Sequence, residues 1–282
     1  MSLDIGRAFG EGFSRTIARN GLVLVVVFAV IAFLTTVLVQ SVAVGVFEAL
    51  YEFFTAADPS ELGIPPEQYE TNVQELETAL DELRSQMPLA LPISAGIASA
   101  GLFVLALVSE AVSIVAVRVF ASDETRTIPS DLVTRNILLA TLNGFVGGIV
   151  VWGLIAIGLA ILVIPGVFLA VAFFFLRQEI AIEDKNFVQA MADSWRITKG
   201  HRIEVFAIGL VVVIVSQLEI VAGFTEPILT SVGSAALASI LAGILGVFGA
   251  AVVTRTYVQI DDGVPRQEPE DPYDAALGPE DL

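Results

Sequence analysis

PGVFLAVAFFFLRQEIAIEDKNFVQAMADSWRITKGHR, residues 165–202, reads in three parts. Val167 to Leu176 is an uninterrupted apolar run. Asn186 to Lys199 has the pattern of a polar-faced helix, and Gly200 to Arg202 is a hinge into the next apolar run. Asn186 is a good N-cap, and Asp184 places negative charge near the positive helix end. Phe187, Ala190, Met191, Ser194, Trp195 and Thr198 recur at spacings of three and four and share one face. Lys199 in the last turn and Gly200 after it form a stop signal. An amphipathic helix over 186–200, carrying one Trp and joining two apolar spans, fits the membrane interface. It also fits a plain connector packed under a transmembrane bundle.

The composition agrees with a membrane protein. Apolar residues make up 55% and charged residues only 16%. The chain has no cysteine, which excludes disulfides and thiol chemistry, and one histidine, which excludes a multi-histidine metal site. No cofactor and no metal are expected. The net charge is −17, and no basic patch exists to neutralise phosphates, which speaks against nucleic-acid binding. The acidity combined with scarce lysine resembles proteins of salt-loving archaea, whose acidic surfaces stay hydrated where salt screens their repulsion.

Pro165-Gly166 opening an apolar run, then Glu183-Asp184, then Ala190 with Ser194-Trp195, Thr198 and Lys199-Gly200, carry a family resemblance. This pattern resembles a group of polytopic membrane proteins that includes the membrane domain attached to some glycerophosphodiester phosphodiesterases and related domains of unknown function. The resemblance covers about 40 residues, Pro165 to Gly200 and their flanks. It implies a membrane domain rather than a known activity.

Taken in order, residues 1–20 predict a short cytoplasmic amphipathic helix with Ile5, Phe9, Phe13 and Ile17 four apart. The first apolar region starts at Gly21 and runs far beyond the roughly 7–15 residues of a signal peptide, so it reads as a retained anchor. Its helical pattern reaches Phe54, about 50 Å at 1.5 Å per residue, and so overshoots a bilayer core of about 30 Å. Pro65-Pro66 start a second helix within an acidic insertion over 55–87. Tyr69, Val73, Leu76, Leu80, Leu83 and Met87 form an a/d seam along it. That seam fits a hairpin against the overshooting first helix, through Phe47, Tyr51 and Phe54; the alternative is a self-association or partner surface.

Further spans are expected over Ile93–Val117, Val133–Leu159, Pro165–Ile182, Arg202–Val221 and Leu229–Thr254. Together they make an all-α integral membrane bundle of six transmembrane helices over 21–257, with an extracellular helical hairpin and a cytoplasmic interfacial helix. The acidic tail 258–282 lacks the means to form a core and reads as disordered and cytoplasmic. With both termini inside, thirteen of the fourteen Lys and Arg fall on the cytoplasmic side, and only Arg84 lies outside. The expected location is therefore the cell membrane, multi-pass, with membrane lipids as the first partner.

Candidate chemistry is sparse. His201 reads as an interfacial residue, and the pair Glu48 and Glu52 as a solvated face. Glu110 is the informative residue, because a carboxylate within a span costs about 2.5–3.5 kcal/mol and is normally paired or faces a cavity. Arg118, Arg135 and Asn143 are its expected neighbours. This group is either a buried bridge or a polar substrate site. Small residues at fourfold spacing, Gly144 and Gly148 in the third span and Ala242, Gly246, Ala250 and Thr254 in the sixth, mark packing faces. Three basic entry points, Arg19-Asn20, Arg135-Asn136 and Lys199-Gly200, hint at a weak repeat of helical hairpins. The expected function is a non-enzymatic scaffold, lipid-organising or accessory module. The alternative is a small transporter or permease built around Glu110.

Overall fold

The computed structural model describes residues 3–59, 63–218 and 230–261. Among these it has eleven helices and no strand: α1 Ile5–Ile17, α2 Arg19–Ala56, α3 Pro66–Gln86, α4 Ala95–Ala121, α5 Ser130–Thr134, α6 Ile137–Ile161, α7 Val163–Ala172, α8 Leu176–Glu183, α9 Phe187–Ile197, α10 Arg202–Ser216 and α11 Ser231–Asp261. Among the described residues five stretches are long and apolar enough to cross a membrane: Arg19–Ala56, Ala95–Ala121, Ile137–Ile161, Val163–Glu183 and Ser231–Asp261. The expected fifth of six spans falls on α10, whose 15 residues cover about 22 Å. Residues 219–229, with the expected loop around Glu226-Pro227, lie outside the described residues, as do 60–62 of the insertion and 262–282 of the tail.

The central layer is α2, α4 and α11. Leu24, Ala116, Val119, Phe120, Val247 and Ala251 form a buried cluster between them. Gly243 brings the α11 backbone against α2, where a Cβ would sit 2.7 Å from the Val25 carbonyl oxygen and 2.8 Å from the Ala29 nitrogen. The second layer, α6 to α9, packs on α4 through Ile114, Val117, Ala140, Leu176 and Ile180.

Amphipathic α1 lies on α11, but not through its aromatic side. Ala8, Gly12 and Thr16 are the buried residues, and Gly12 meets Val252. Small residues win this face because they let the two helices approach closely. Phe9 still reaches Phe248, at 6.1 Å between ring centres, whereas Phe13 and Ile17 are 58% and 55% exposed.

α3 runs back along the end of α2. The Tyr69 hydroxyl donates to the Phe54 carbonyl at 2.8 Å, Arg84 pairs with Glu48 at 2.8 Å, and Leu80 of the seam is buried. Val73, Leu76, Leu83 and Met87 are half-buried. The segment leading to α4 is held by α2 side chains: Leu89 N–H donates to Gln40 Oε1 and Leu91 N–H to Ser41 Oγ, both at 2.9 Å.

The three basic entry points are not equivalent. Asn20 is buried and donates to the Glu124 and Thr127 carbonyls, closing the loop after α4 onto α2. Asn136 is exposed and left-handed, with φ 43°.

The glycine spacing in α6 also differs from expectation. Gly144 makes room for Glu110, and Gly147 lies against Phe187 and Leu176, while Gly148 faces open space. The close approaches therefore lie three residues apart, because two different neighbours, α4 and α8–α9, press on adjacent turns of one helix.

Candidate functional site

The fourth apolar run, expected to be one continuous helix, is interrupted at residues 173–175, between α7 and α8. Phe174 N–H bonds the Val171 carbonyl and Leu176 N–H the Phe173 carbonyl, so the regular ladder skips a step. That leaves the Ala172 carbonyl and the Phe175 N–H without helical partners. In an apolar setting each orphan costs several kcal/mol. Ser194 on α9 supplies both: its hydroxyl donates to Ala172 O at 3.0 Å and accepts from Phe175 N at 3.1 Å. Thr198 adds a longer contact to the same carbonyl at 3.4 Å and bonds the Ser194 carbonyl at 2.9 Å. Ser194, Thr198, Ala172 and Phe175 are all fully buried.

The rest of the quoted motif has equally local duties. Asn186 caps α9, accepting from Val188 N at 3.1 Å and Gln189 N at 3.0 Å. Ala190 is buried. Trp195 stands edge-on to Phe168 at 5.3 Å, and the Arg202 guanidinium lies over both rings, at 4.5 and 4.9 Å. After Lys199 the chain turns at Gly200 with φ +101°, a conformation that favours glycine. Pro165 falls in the first turn of α7, where its missing N–H has no ladder partner to lose. Gly166 lets α7 fold tightly onto α6: a Cβ on Gly158 would sit 2.8 Å from Gly166 Cα.

The expected polar quartet divides into separate sites. Glu110 does not pair with Arg118, Arg135 or Asn143. Its partner is Arg177 on α8, in a two-pronged bridge: Nε to Oε1 at 3.0 Å and Nη2 to Oε2 at 2.9 Å. The broken helix explains the difference, since α8 starts anew at Leu176 and carries Arg177 to α4. Glu110 is 8% exposed and fills the space left by Gly144.

Arg118 sits in a cage of carbonyl oxygens. Its Nε donates to Ala181 O at 2.8 Å, and its Nη1 to Arg135 O at 2.6 Å and Leu132 O at 3.2 Å. Its Nη2 meets Asp184 Oδ1 at 3.1 Å. The other Asp184 oxygen takes Arg135 Nε at 3.1 Å. Both left-handed non-glycine residues among the described ones, Asn136 and Asp184, border this cage. Asn143 serves a third purpose: it accepts from Phe187 N at 3.0 Å and so holds the start of α9 to α6.

Sequence reading did not single out Arg177, Glu179 or Lys185. Lys185 bridges buried Glu179 at 2.6 Å and Asp193 at 2.7 Å, tying α8 to α9. Burial works against the Lys185 ammonium, but hydrogen bonds to Asp193 and Glu179 outweigh it and raise it above its ordinary value. A signal for these residues was present: the polar triplet Arg177-Gln178-Glu179 stands inside an apolar span.

Among the described residues no group of His, Cys, Asp and Glu could hold a metal ion. A lateral cavity of about 410 Å3 opens between α2, α4 and α11, with Thr35, Thr36, Ser109 and Ser239 on its wall. Thr35, Thr36 and Ser239 donate to carbonyls one turn back in their own helices.

Replacing Glu110 with Gln leaves Arg177 without its charge partner and should cost about 1–3 kcal/mol in equilibrium unfolding. Adding Arg177→Gln should restore part of the loss, whereas adding Arg118→Gln should deepen it. Rescue by Arg118→Gln would contradict this pairing.

A family model described as Domain of unknown function (DUF7847) matches residues 3–260. No curated protein and no solved structure matches the chain.

Proposed function

We propose, for a chain that belongs to the family described as Domain of unknown function (DUF7847), a role as a non-enzymatic integral membrane module. It acts as a scaffold, lipid-organising or accessory module. The observation that carries this reading is the use made of the buried charges. Both Glu110 oxygens are taken by Arg177, and Arg118 is spent on three carbonyls and Asp184. A substrate or coupling site keeps such groups available, whereas here they bind helix to helix.

The accompanying topology has six spans, with α10 beginning the fifth. Both termini are cytoplasmic, α3 is extracellular, and α9 lies at the cytoplasmic interface beneath the break in the fourth span. Its support is the charge asymmetry, with thirteen of fourteen Lys and Arg on one side. The acidic outer face of α3 is the surface offered to a protein partner or a second copy. The likeness to phosphodiesterase-linked membrane domains and a salt-loving archaeal source belong to the same reading.

A second reading, a small transporter, is favoured by the lateral cavity at Ser109, next in sequence to Glu110.

Single cysteines at Glu75 and Lys199, in a chain with none of its own, should label from opposite sides of a sealed membrane. Labelling from one side would contradict the topology. In reconstituted vesicles, pH- or cation-driven flux should equal that of empty vesicles. A flux abolished by Glu110→Gln would replace the module reading with the transporter.

A further inference from the structure

A second cavity, of about 330 Å3, lies between α1 and α11, lined by Gly10, Glu11, Ser14, Arg15 and Arg255. In a chain of net charge −17 this is an unusual place, because two guanidinium groups share one small space. The Arg15 and Arg255 side chains are each only 14% exposed. Arg15 lies below its ordinary range, first through burial and then through the like charge of Arg255.

The hydrogen bonds leave donors available. Arg255 is held by one atom: its Nε donates to Glu11 Oε2 at 2.6 Å. The other Glu11 oxygen takes Arg7 Nε at 2.7 Å, so both carboxylate oxygens are occupied. The two Nη groups of Arg255 have no partner among the described residues. Arg15 Nη1 is steadied by the Glu124 carbonyl at 2.9 Å, a neutral acceptor that leaves its charge in place. Its acidic neighbours are Asp123, 4.0 Å away and fully exposed to solvent, where pairing is worth little, and Glu11, one turn back on α1, whose two oxygens are taken by Arg255 and Arg7. Counting Arg15, Arg255 and Glu11, the cavity carries one excess positive charge. A guanidinium fork with free N–H groups matches a phosphate oxygen pair better than any neutral ligand.

The setting identifies the source of the phosphate. α1 exposes Phe13 and Ile17 while its small-residue face is spent on α11. An amphipathic helix of this kind seats its apolar residues at the boundary of headgroups and acyl chains. α11 is one of the membrane-length helices, and Arg255 lies near its end. In the proposed topology the cavity opens at headgroup depth, beside side chains suited to acyl chains.

We propose that Arg15 and Arg255 clasp the phosphate of an anionic phospholipid in this cavity, with the Ser14 hydroxyl as a further donor and Phe13 against the acyl chain. Glu11 is the positioning residue that orients Arg255. The site gives the lipid-organising reading its ligand, and it rests on that reading.

The test uses the full chain in detergent micelles, with phosphatidylglycerol and phosphatidylcholine as probes and native mass spectrometry to count retained lipid. The wild type should retain phosphatidylglycerol in preference to phosphatidylcholine. Arg15→Gln with Arg255→Gln should lower that retention about tenfold or more, the expected consequence of losing charge-assisted hydrogen bonds. Glu11→Gln keeps an acceptor for Arg255 Nε but removes the negative charge, so it should raise retention. This variant decides the matter if the double variant does not fold, and unchanged or weaker retention would then overturn the site. Phosphatidylglycerol retained equally by wild type and double variant would overturn the site and leave the lipid-organising reading standing. Retention of neither lipid by the wild type would overturn both. Inorganic phosphate that binds through the same two arginines and is not displaced by phosphatidylglycerol would overturn the lipid assignment in favour of a soluble anion.

Discussion

One hydroxyl group closes a gap in a membrane-length helix, and much of the second layer follows from it. Ser194 Oγ takes the carbonyl of Ala172 and the N–H of Phe175 at once. Without water, a backbone break is tolerable only when protein groups satisfy it. The break in turn ends the apolar α7 and begins α8, whose first turn is polar. Arg177 then reaches Glu110 on α4, while Glu179 reaches Lys185, and Lys185 reaches Asp193 on α9, the helix that carries Ser194. Hydroxyl, ion pairs and helix start form a closed circuit, in which each contact holds the others in place.

The charges obey the same economy of desolvation. An unpaired buried arginine is costly, and so is an unpaired carbonyl at the end of a helix. Arg118 meets both needs together, because the carbonyls of Leu132, Arg135 and Ala181 are such acceptors and Asp184 supplies the countercharge. The left-handed turns at Asn136 and Asp184 are the local cost of bringing those acceptors around one guanidinium. This arrangement joins α4, α5 and α8 at one end of the bundle.

Features that depend on local pattern were legible in the sequence. The Asn186 cap, the Gly200 stop, the inward face of Ala190, Ser194 and Thr198, and the long apolar helices α2, α4, α6 and α11 all follow from spacing, composition and turn chemistry. The interruption at 173–175 was not, because Phe173, Phe174 and Phe175 continue an apolar run whose hydropathy does not change where the hydrogen bonding does. The partner of Glu110 was missed for a related reason. Arg118 lies two turns away on the same helix and is visible in one dimension, whereas Arg177 is 67 residues distant and becomes a neighbour only once the helix breaks. In α6 the fourfold glycine rule named Gly144 correctly and chose Gly148 over Gly147, since sequence spacing does not register two neighbours pressing on one helix. The cavity between α1 and α11 was likewise invisible, as Arg15 and Arg255 are 240 residues apart.

Amide hydrogen exchange at Phe175 tests the clamp most directly. In the wild-type protein this N–H should exchange as slowly as those of the flanking turns of α7 and α8, and Ser194→Ala should accelerate it selectively, leaving α2 and α11 unchanged. Rapid exchange at Phe175 in the wild type, or slow exchange that persists in Ser194→Ala, would contradict the role given to Ser194.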